Sequence, residues 1–191
     1  ENDRLMEVPA IIIENPTLEM NIASSILESI VNYNSKQLAI GTVAKPVQKM
    51  FYIDNEGCIT FTTGACINSF TLEKPMRVLL NARLVNLFKL FKGTAVNFTL
   101  GYDPISETII QTKVSFKTDN ITLTAVTGCD DNLLNQVPAA SIRGRANKAY
   151  ANTVVVNVAA ISEAINRLLL FSAGYGSKEN LKPYSCFDFS T

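Results

Sequence analysis

The chain has 191 residues, of which 47% are hydrophobic, and its 17 basic and 17 acidic side chains balance to a formal net charge of zero. This composition is sufficient for a packed core, and it argues against a disordered chain or a uniformly basic nucleic-acid-binding tail. The sequence contains no His, which excludes Ser-His-Asp and Cys-His nucleophiles and every His-containing metal site. We therefore expect a protein that is not an enzyme and needs no cofactor.

The first predicted unit begins with an apolar strand that leads into Asn21 and an amphipathic helix over residues 22–34. Asn is a favoured N-cap because its side-chain oxygen accepts a hydrogen bond from an amide of the first helical turn. Apolar residues recur along this helix at helical spacing, at Ile22, Ile26 and Ile30. A hairpin signal over residues 52–57 and short alternating strands then complete a strand-helix-strands unit.

The second unit repeats this order of elements. Asn81 follows an apolar strand and precedes a helix over residues 82–92, which Gly93 is placed to end. The apolar face of this helix is formed by Leu84, Phe88 and Phe91. Alternating strands with Asp, Asn and Gly at their turns follow, as they do in the first unit.

The two units keep nearly the same offset along their length. Asn21 and Asn81 are 60 residues apart, and the matching strand residues Ile59 and Ile121 are 62 apart. This agreement predicts a duplication, with units over residues 11–73 and 75–136. Two such units can place their helices on one face of antiparallel sheets, so the predicted fold class is α+β.

A third copy of the pattern begins at residues 154–156, followed by Asn157 and an amphipathic helix that ends near Gly174. Residues 5–10 also resemble residues 134–139, and each stretch precedes a strand-Asn-helix unit. The predicted organisation is a tail of a preceding domain, a complete domain, a linker and the incomplete start of another domain, at residues 1–10, 11–138, 139–152 and 153–191.

The cysteines and the lengths of the apolar runs indicate in which cellular compartment the protein is expected. The four Cys residues form no CxxC pair, which argues against a zinc site and favours buried thiols in a reducing cytoplasm. The longest apolar runs are far shorter than the ~20 residues of a membrane-spanning helix. We therefore expect a cytoplasmic protein with no metal and no membrane partner.

The net charge of zero is the sum of an acidic first segment and a basic middle segment. Residues 1–73 carry 4 basic and 9 acidic side chains, whereas residues 74–150 carry 10 basic and 5 acidic ones. On the second helix, polar and basic residues recur at every third position opposite the apolar face: Arg83, Asn86, Lys89 and Lys92. Such a stripe suits sequence-independent contact with phosphates, although an ordinary solvated helix face has the same appearance.

Further candidate cations lie outside this helix. Arg143, Arg145 and Lys148 cluster in the predicted linker, where they either contact DNA or keep a loop soluble. Arg167 on the third helix is a weaker equivalent of the stripe. The first helix offers only Ser25, Glu28 and Asn32 on its polar face, which departs from a uniformly basic surface.

Three stretches resemble the bacterial-type DNA polymerase sliding clamp, the processivity factor known as the polymerase III beta subunit. MRVLLNARLVNLFKLFKG at residues 76–93 is similar to a strand and pore-lining helix of that family. ITLTAVTGCDDNLLNQVP at 121–138 resembles the strand and turn that close its middle domain, and residues 157–190 resemble the opening of its third domain. The looser likeness over residues 11–73 suits a divergent member, including one encoded by a phage.

The resemblance implies a clamp fold and a ring-shaped homo-oligomer that encircles duplex DNA without sequence preference. The expected partners are a replicative DNA polymerase and a clamp loader, in the cytoplasm of a bacterium or of a phage-infected host. Family clamps also bind partner peptides in a cleft between domains, whose near side falls at Ile67, Leu133, Leu134 and Val137. These four side chains form either a recognition pocket or core packing under the interdomain turn.

Two functions from different classes follow. The first is a sliding clamp that tethers a polymerase to DNA. The second is a β-rich structural or assembly protein, such as a virion component, built from the same duplicated unit without DNA contact. Charge reversal at Lys89 and Lys92 separates them, because only a clamp depends on these residues for retention on DNA.

Overall fold

The computed structural model describes residues 11–38, 44–62, 64–93, 95–104, 110–127, 131–149 and 155–174. The predictions for residues 1–10 and for the end of the chain after residue 174 lie outside this part. The chain divides into two compact units, residues 1–147 and 148–191, and each is described by itself.

The first unit contains eight described strands in two antiparallel sheets, together with short helices, which confirms the α+β class. The strands are β1 Pro16–Ala23, β2 Met50–Asp54, β3 Gly57–Phe61, β4 Ala65–Ser69, β5 Arg77–Asn81, β6 Ala95–Pro104, β7 Ile110–Lys117 and β8 Thr122–Thr127. The helices of this unit are α1 Ser24–Ser29, α2 Ala82–Asn86, α3 Asp131–Asn135 and α4 Ala139–Ala146.

Each half of the domain contributes its first strand to the other half's sheet. One sheet, here sheet A, has the order β1-β6-β7-β8, and the other, sheet B, has the order β4-β3-β2-β5. β1 therefore pairs with β6, while β5 pairs with β2, both antiparallel. The exchange makes the two halves interdependent, because neither sheet is complete without a strand from the other half.

Both helical segments pack into one main core between the sheets. Strand alternation supplies its walls, with Ile22 on β1 and Phe98 on β6 buried while their neighbours face outward. Phe88 and Phe116 meet with ring centroids 4.6 Å apart, and the ring centroids of Phe98 and Phe116 are 5.0 Å apart. Aromatic pairs in this tilted arrangement contribute beyond the area that they bury.

Sheet B is buried on both faces, unlike sheet A. Its outer face carries Tyr52, Ile59 and Leu79, which alternate with residues of the main core. Residues 131–146, comprising α3 and α4 and here called the covering segment, lie over this face. The side chains that close the resulting outer cluster are Val47, Leu134, Val137 and Ala139.

The covering segment differs from the predicted linker. Residues 139–146 are helical, Ala139 is buried, and Arg143 reaches back to the β2–β3 turn. The segment is ordered because sheet B presents apolar side chains that would otherwise face solvent.

The first helix begins later than its sequence pattern predicted. Asn21 is not its N-cap: it lies in β1, opposite Asn97 of β6, and the ladder continues to the pair Ala23↔Ala95. Sheet pairing therefore holds two more residues extended, and α1 begins at Ser24 without a side-chain cap. By contrast, Asn81 caps α2 as predicted, since its Oδ1 accepts a hydrogen bond from the Leu84 amide at 2.9 Å.

After α1 the chain continues as a π-helical turn, Ile30–Asn34, and a 3-10 turn, Ser35–Gln37. Asn34 at this point is fully buried, and its Nδ2 lies 3.3 Å from the carbonyl oxygens of Cys58 and Cys66. The Thr60 hydroxyl donates in turn to the Asn34 carbonyl at 3.0 Å. These bonds fix the end of the first helical segment against sheet B.

The second unit is described as one helix, α5 Val158–Gly174. Asn157 caps it, as predicted, because its Oδ1 accepts hydrogen bonds from the amides of Ala159 and Ala160. The strand expected before this cap is not found in residues 155–157, where Val155 is completely exposed.

Candidate nucleic-acid interface

The second helical segment buries one apolar face in the core and exposes its basic residues on the opposite side. Leu84, Phe88 and Phe91 are buried in the main core, as their spacing predicted. Leu87 and Leu90 are exposed as well. The polar side chains exposed along the segment are those of the predicted stripe, Arg83, Asn86, Lys89 and Lys92. Here "the stripe" denotes these four residues.

The type of helix changes in the middle of the stripe, between Asn86 and Lys89. After α2 the chain continues as a 3-10 turn, Leu87–Leu90. In a 3-10 helix residues three apart lie directly above one another, so this turn keeps Lys89 close to the line of Asn86. Gly93, with φ +70°, then ends the segment in a left-handed conformation that suits glycine.

The two helical segments are antiparallel neighbours. α1 lies against Leu87–Leu90, while the following turn, Ile30–Asn34, lies against α2. The outward residues of the first segment include Ser25, Glu28 and Asn32, as predicted, and also Lys36. Across both segments the outward face carries four cations and one carboxylate, so its charge is positive.

The cations of the stripe are not neutralised within the protein. Among the residues that the structure describes, Arg83, Lys89 and Lys92 have no ion-pair partner. An unpaired surface cation retains its full attraction for phosphate, and counterions released from DNA add to the affinity. The arrangement can therefore bind a polyanion without reading its sequence.

Arg143, unlike the cations of the stripe, is paired with carboxylates. Its guanidinium nitrogens lie 2.7 and 2.8 Å from the two carboxylate oxygens of Asp54, and 3.2 Å from Glu56. The hydrogen bonds to Asp54 raise the pKa of Arg143. Its guanidinium is therefore engaged within the fold, and its contact with DNA stays a prediction.

The other cations predicted to contact DNA are exposed, but they give weaker support for a DNA surface than the stripe does. Arg145 lies on α4, and Lys148 follows it at the start of the second unit. Arg167 on α5 forms an ion pair with Glu163, one helical turn earlier. This pair reduces the attraction that Arg167 can exert on a phosphate.

The four residues predicted for the partner cleft come together in the outer cluster. Leu134 and Val137 are buried in it, each 7% exposed, and Ile67 and Leu133 pack against it at its margin. The burial of the first two corresponds to packing under the covering segment. Ile67 and Leu133 retain the partial exposure that a recognition surface requires.

Burial also changes the chemistry of Tyr52 in this cluster. Loss of solvent raises the pKa of its phenol, and the nearby Asp54 carboxylate raises it further, while Arg77 opposes the shift. Arg77 in turn donates a hydrogen bond to Asn135 of the covering segment at 3.1 Å. Polar contacts therefore hold this segment at two places, through Arg77 and Arg143.

No known relative supplies a function: the chain matches no protein-family model, no curated protein and no solved structure.

Two further features bear on the site. In the part of the chain that the structure describes, no three His, Cys, Asp or Glu side chains are grouped to hold a metal ion. Likewise, none of the described helices has the length and apolar character needed to cross a membrane.

Some polar residues of the folded protein leave no signal in the sequence, whereas others do. Asp54 and Arg143 are 89 residues apart, and nothing in the local pattern around either one signals their pairing. Lys117 on β7, by contrast, follows the period of two that places alternate strand residues on one face. That period would have identified it as an outward cation of sheet A.

Proposed function

We propose that this protein is a sliding clamp, which encircles duplex DNA and tethers a replicative polymerase without catalysing a reaction. The single observation that supports this most directly is the antiparallel helix pair with its unpaired basic stripe. The duplicated, strand-exchanged architecture and the sequence resemblance to clamps agree with it. In this proposal the fold is a clamp fold, and the helix face is the surface that lies against DNA.

The proposal includes the partners and the assembly that a clamp requires. A clamp loader would place the ring on DNA in the cytoplasm, and a homo-oligomer would close it. Ile67 and Leu133, at the margin of the outer cluster, are the proposed contacts for partner peptides. Arg145, Lys148 and Arg167 are secondary candidates for DNA contact.

The decisive experiment compares charge reversals on duplex DNA. We expect the double variant Arg83→Glu/Lys89→Glu to bind a mixed-sequence duplex more weakly, with a salt slope shallower by about two. Lys45→Glu/Lys74→Glu is the matched control, since it changes the net charge equally and both lysines are exposed outside the helix pair. Equal binding by the double variant and the wild type would refute the proposed DNA surface.

Encirclement needs a topological test. The full chain, incubated with nicked circular DNA and loader-competent extract, should co-elute with circles and be lost after linearisation. The Arg83→Glu/Lys89→Glu variant should be lost from circles as well. If the protein stays bound to the DNA equally well after linearisation, it binds the DNA surface and does not encircle it.

One observation favours the alternative, a structural or assembly protein. Leu87 and Leu90 lie between the cations of the stripe and are 39% and 49% exposed. Apolar side chains on a polar face are typical of protein contacts. If this function is correct, Leu87→Ser/Leu90→Ser will abolish self-association seen by light scattering, and duplex DNA will not bind.

A further inference from the structure

A groove of about 560 Å³ lies beside the last residue of the stripe. Its walls come from the end of the second helical segment, from the adjacent ends of β1, β6 and β7, and from the β7–β8 turn. The residues that matter for its chemistry are Asn21, Leu90, Lys92, Asn97, Lys117 and Asp119.

Strand register places three of these residues in one row across sheet A. Asn21 of β1 is opposite Asn97 of β6, and Asn97 is opposite Lys117 of β7. Neighbouring strands are about 4.8 Å apart, so the row presents two amides and an ammonium at regular intervals. All three side chains are exposed on the outer face of the sheet.

The groove is cationic and has unused donors. Lys92 and Lys117 are exposed, and neither has an ion-pair partner in the described part of the chain. Asp119 at the rim is the one opposing charge among the lining residues. The Thr99 hydroxyl donates to Oδ1 of Asn97 at 3.4 Å, which leaves the two amide N–H groups of Asn97 for another partner.

The lining is also partly apolar. Leu90 is 49% exposed, and the half-buried Ile121 contributes carbon surface beneath the polar rim. Lysines attract phosphate, amides bond to the edges of bases, and an apolar surface contacts the face of an unstacked base. A duplex offers phosphates and the groove edges of its paired bases, but stacking hides the faces of those bases and pairing hides their Watson–Crick edges. Only a single strand offers these faces and edges to the groove.

We propose that this groove binds nucleotides of single-stranded DNA. The inference builds on the proposed function in one respect: Lys92 belongs to both surfaces, so a strand that leaves a duplex held by the stripe would enter the groove directly. The aromatic platforms of dedicated single-strand binders are absent from the described lining, since Phe91 is only 2% exposed. Affinity should accordingly be weak and strongly salt-dependent.

Fluorescence anisotropy with a labelled short oligothymidine and a labelled mixed-sequence duplex tests this with the full chain. We expect Lys117→Glu to weaken single-strand binding about fivefold or more, and to reduce its salt slope by about 0.7, with little change for the duplex. Asp119→Asn should strengthen single-strand binding about twofold, because it removes repulsion from the phosphates. This gain cannot result from misfolding.

Several outcomes would refute the proposal that the groove binds single-stranded DNA. These are unchanged single-strand binding by Lys117→Glu, equal losses for both DNA forms, or full displacement by inorganic phosphate at concentrations that leave ionic strength unchanged. The last result would identify a simple anion site. If Arg83→Glu/Lys89→Glu leaves duplex binding intact while Lys117→Glu abolishes single-strand binding, the clamp proposal fails and the groove stands.

Discussion

Arg143 donates two hydrogen bonds to the carboxylate of Asp54, which lies 89 residues earlier in the chain. The Asp54 side chain is only 8% exposed, and that of Arg143 is 20% exposed. The pair joins α4 of the covering segment to the end of β2. It therefore holds the segment in place over the outer face of sheet B.

Removing one partner of this pair should destabilise the domain strongly. Arg143→Met leaves the Asp54 carboxylate buried without its counterion, and we expect a loss of about 3 kcal/mol in the free energy of unfolding. Urea denaturation at pH 7 measures this loss. Glu56→Gln is the control: the Glu56 side chain is 64% exposed, so the change should stay within about 0.5 kcal/mol.

A second substitution makes this prediction sharper. Asp54→Asn in the Arg143→Met background removes the stranded charge, and part of the lost stability should return. An Arg143→Met protein within about 1 kcal/mol of the wild type would show that the pair contributes little.

The two equivalent asparagines of the repeat should respond differently to truncation. Asn81→Ala removes the hydrogen bond that the Leu84 amide donates, and we expect a loss of about 1 kcal/mol. Asn21 lies in β1 and caps no helix, so Asn21→Ala should change stability by less than about 0.5 kcal/mol. Thermal unfolding of both variants compares them, and equal losses would contradict the different roles seen in the structure.

This contrast shows which parts of the fold could be predicted from the sequence. Local periodicity correctly predicted the α+β class and the two faces of the second helix, with Phe88 buried and Lys89 exposed. Helical spacing was sufficient there because it depends only on neighbouring residues. The same applies to the N-caps at Asn81 and Asn157.

Features that depend on distant pairing could not be predicted in this way. Asn21 and Asn81 have nearly the same local sequence pattern, but the ladder between β1 and β6 extends β1 past Asn21. The strand exchange itself joins residues far apart in sequence. The candidate site divides likewise: the stripe was visible in the sequence, whereas the engagement of Arg143 and the Asn21–Asn97–Lys117 row required the fold.

The β2–β3 turn should tolerate no side chain at its glycine. Gly57 has φ +146°, and a Cβ added there would lie 2.3 Å from the carbonyl oxygen of Asn68 in β4. Gly57→Ala should therefore cost about 3 kcal/mol, because backbone strain adds to a clash with the sheet ladder.

Gly64→Ala is the matched control for this turn. No atom lies within 4 Å of the Cβ position at Gly64, and its φ is not positive. The free energy of unfolding of the Gly64→Ala variant should be unchanged, or raised by up to about 0.5 kcal/mol because the unfolded chain has lower entropy. Chemical denaturation that ranks the two substitutions equally would refute the strain assigned to Gly57.

Burial should make Cys58 unreactive in the native protein. Desolvation raises the pKa of this fully buried thiol far above its ordinary value of 9.0, and it also raises the pKa of the partly exposed Cys66. Because the thiolate is the nucleophile, iodoacetamide at pH 8 should modify Cys66 slowly and Cys58 only after unfolding in urea. Peptide-resolved mass spectrometry follows each residue, and native labelling of Cys58 at its unfolded rate would contradict its burial.

The same shift predicts that stability falls in alkaline solution. In the unfolded chain Cys58 ionises near pH 9.0, whereas in the folded protein it stays protonated, so the unfolded state loses its proton first. The folded state is therefore favoured below pH 9.0, and this contribution is lost as the pH rises further. Cys58→Ala lacks the titrating group, and its unfolding free energy should fall less between pH 8 and 10 than that of the wild type. Parallel pH profiles for the two proteins would show that Cys58 does not contribute to the alkaline loss.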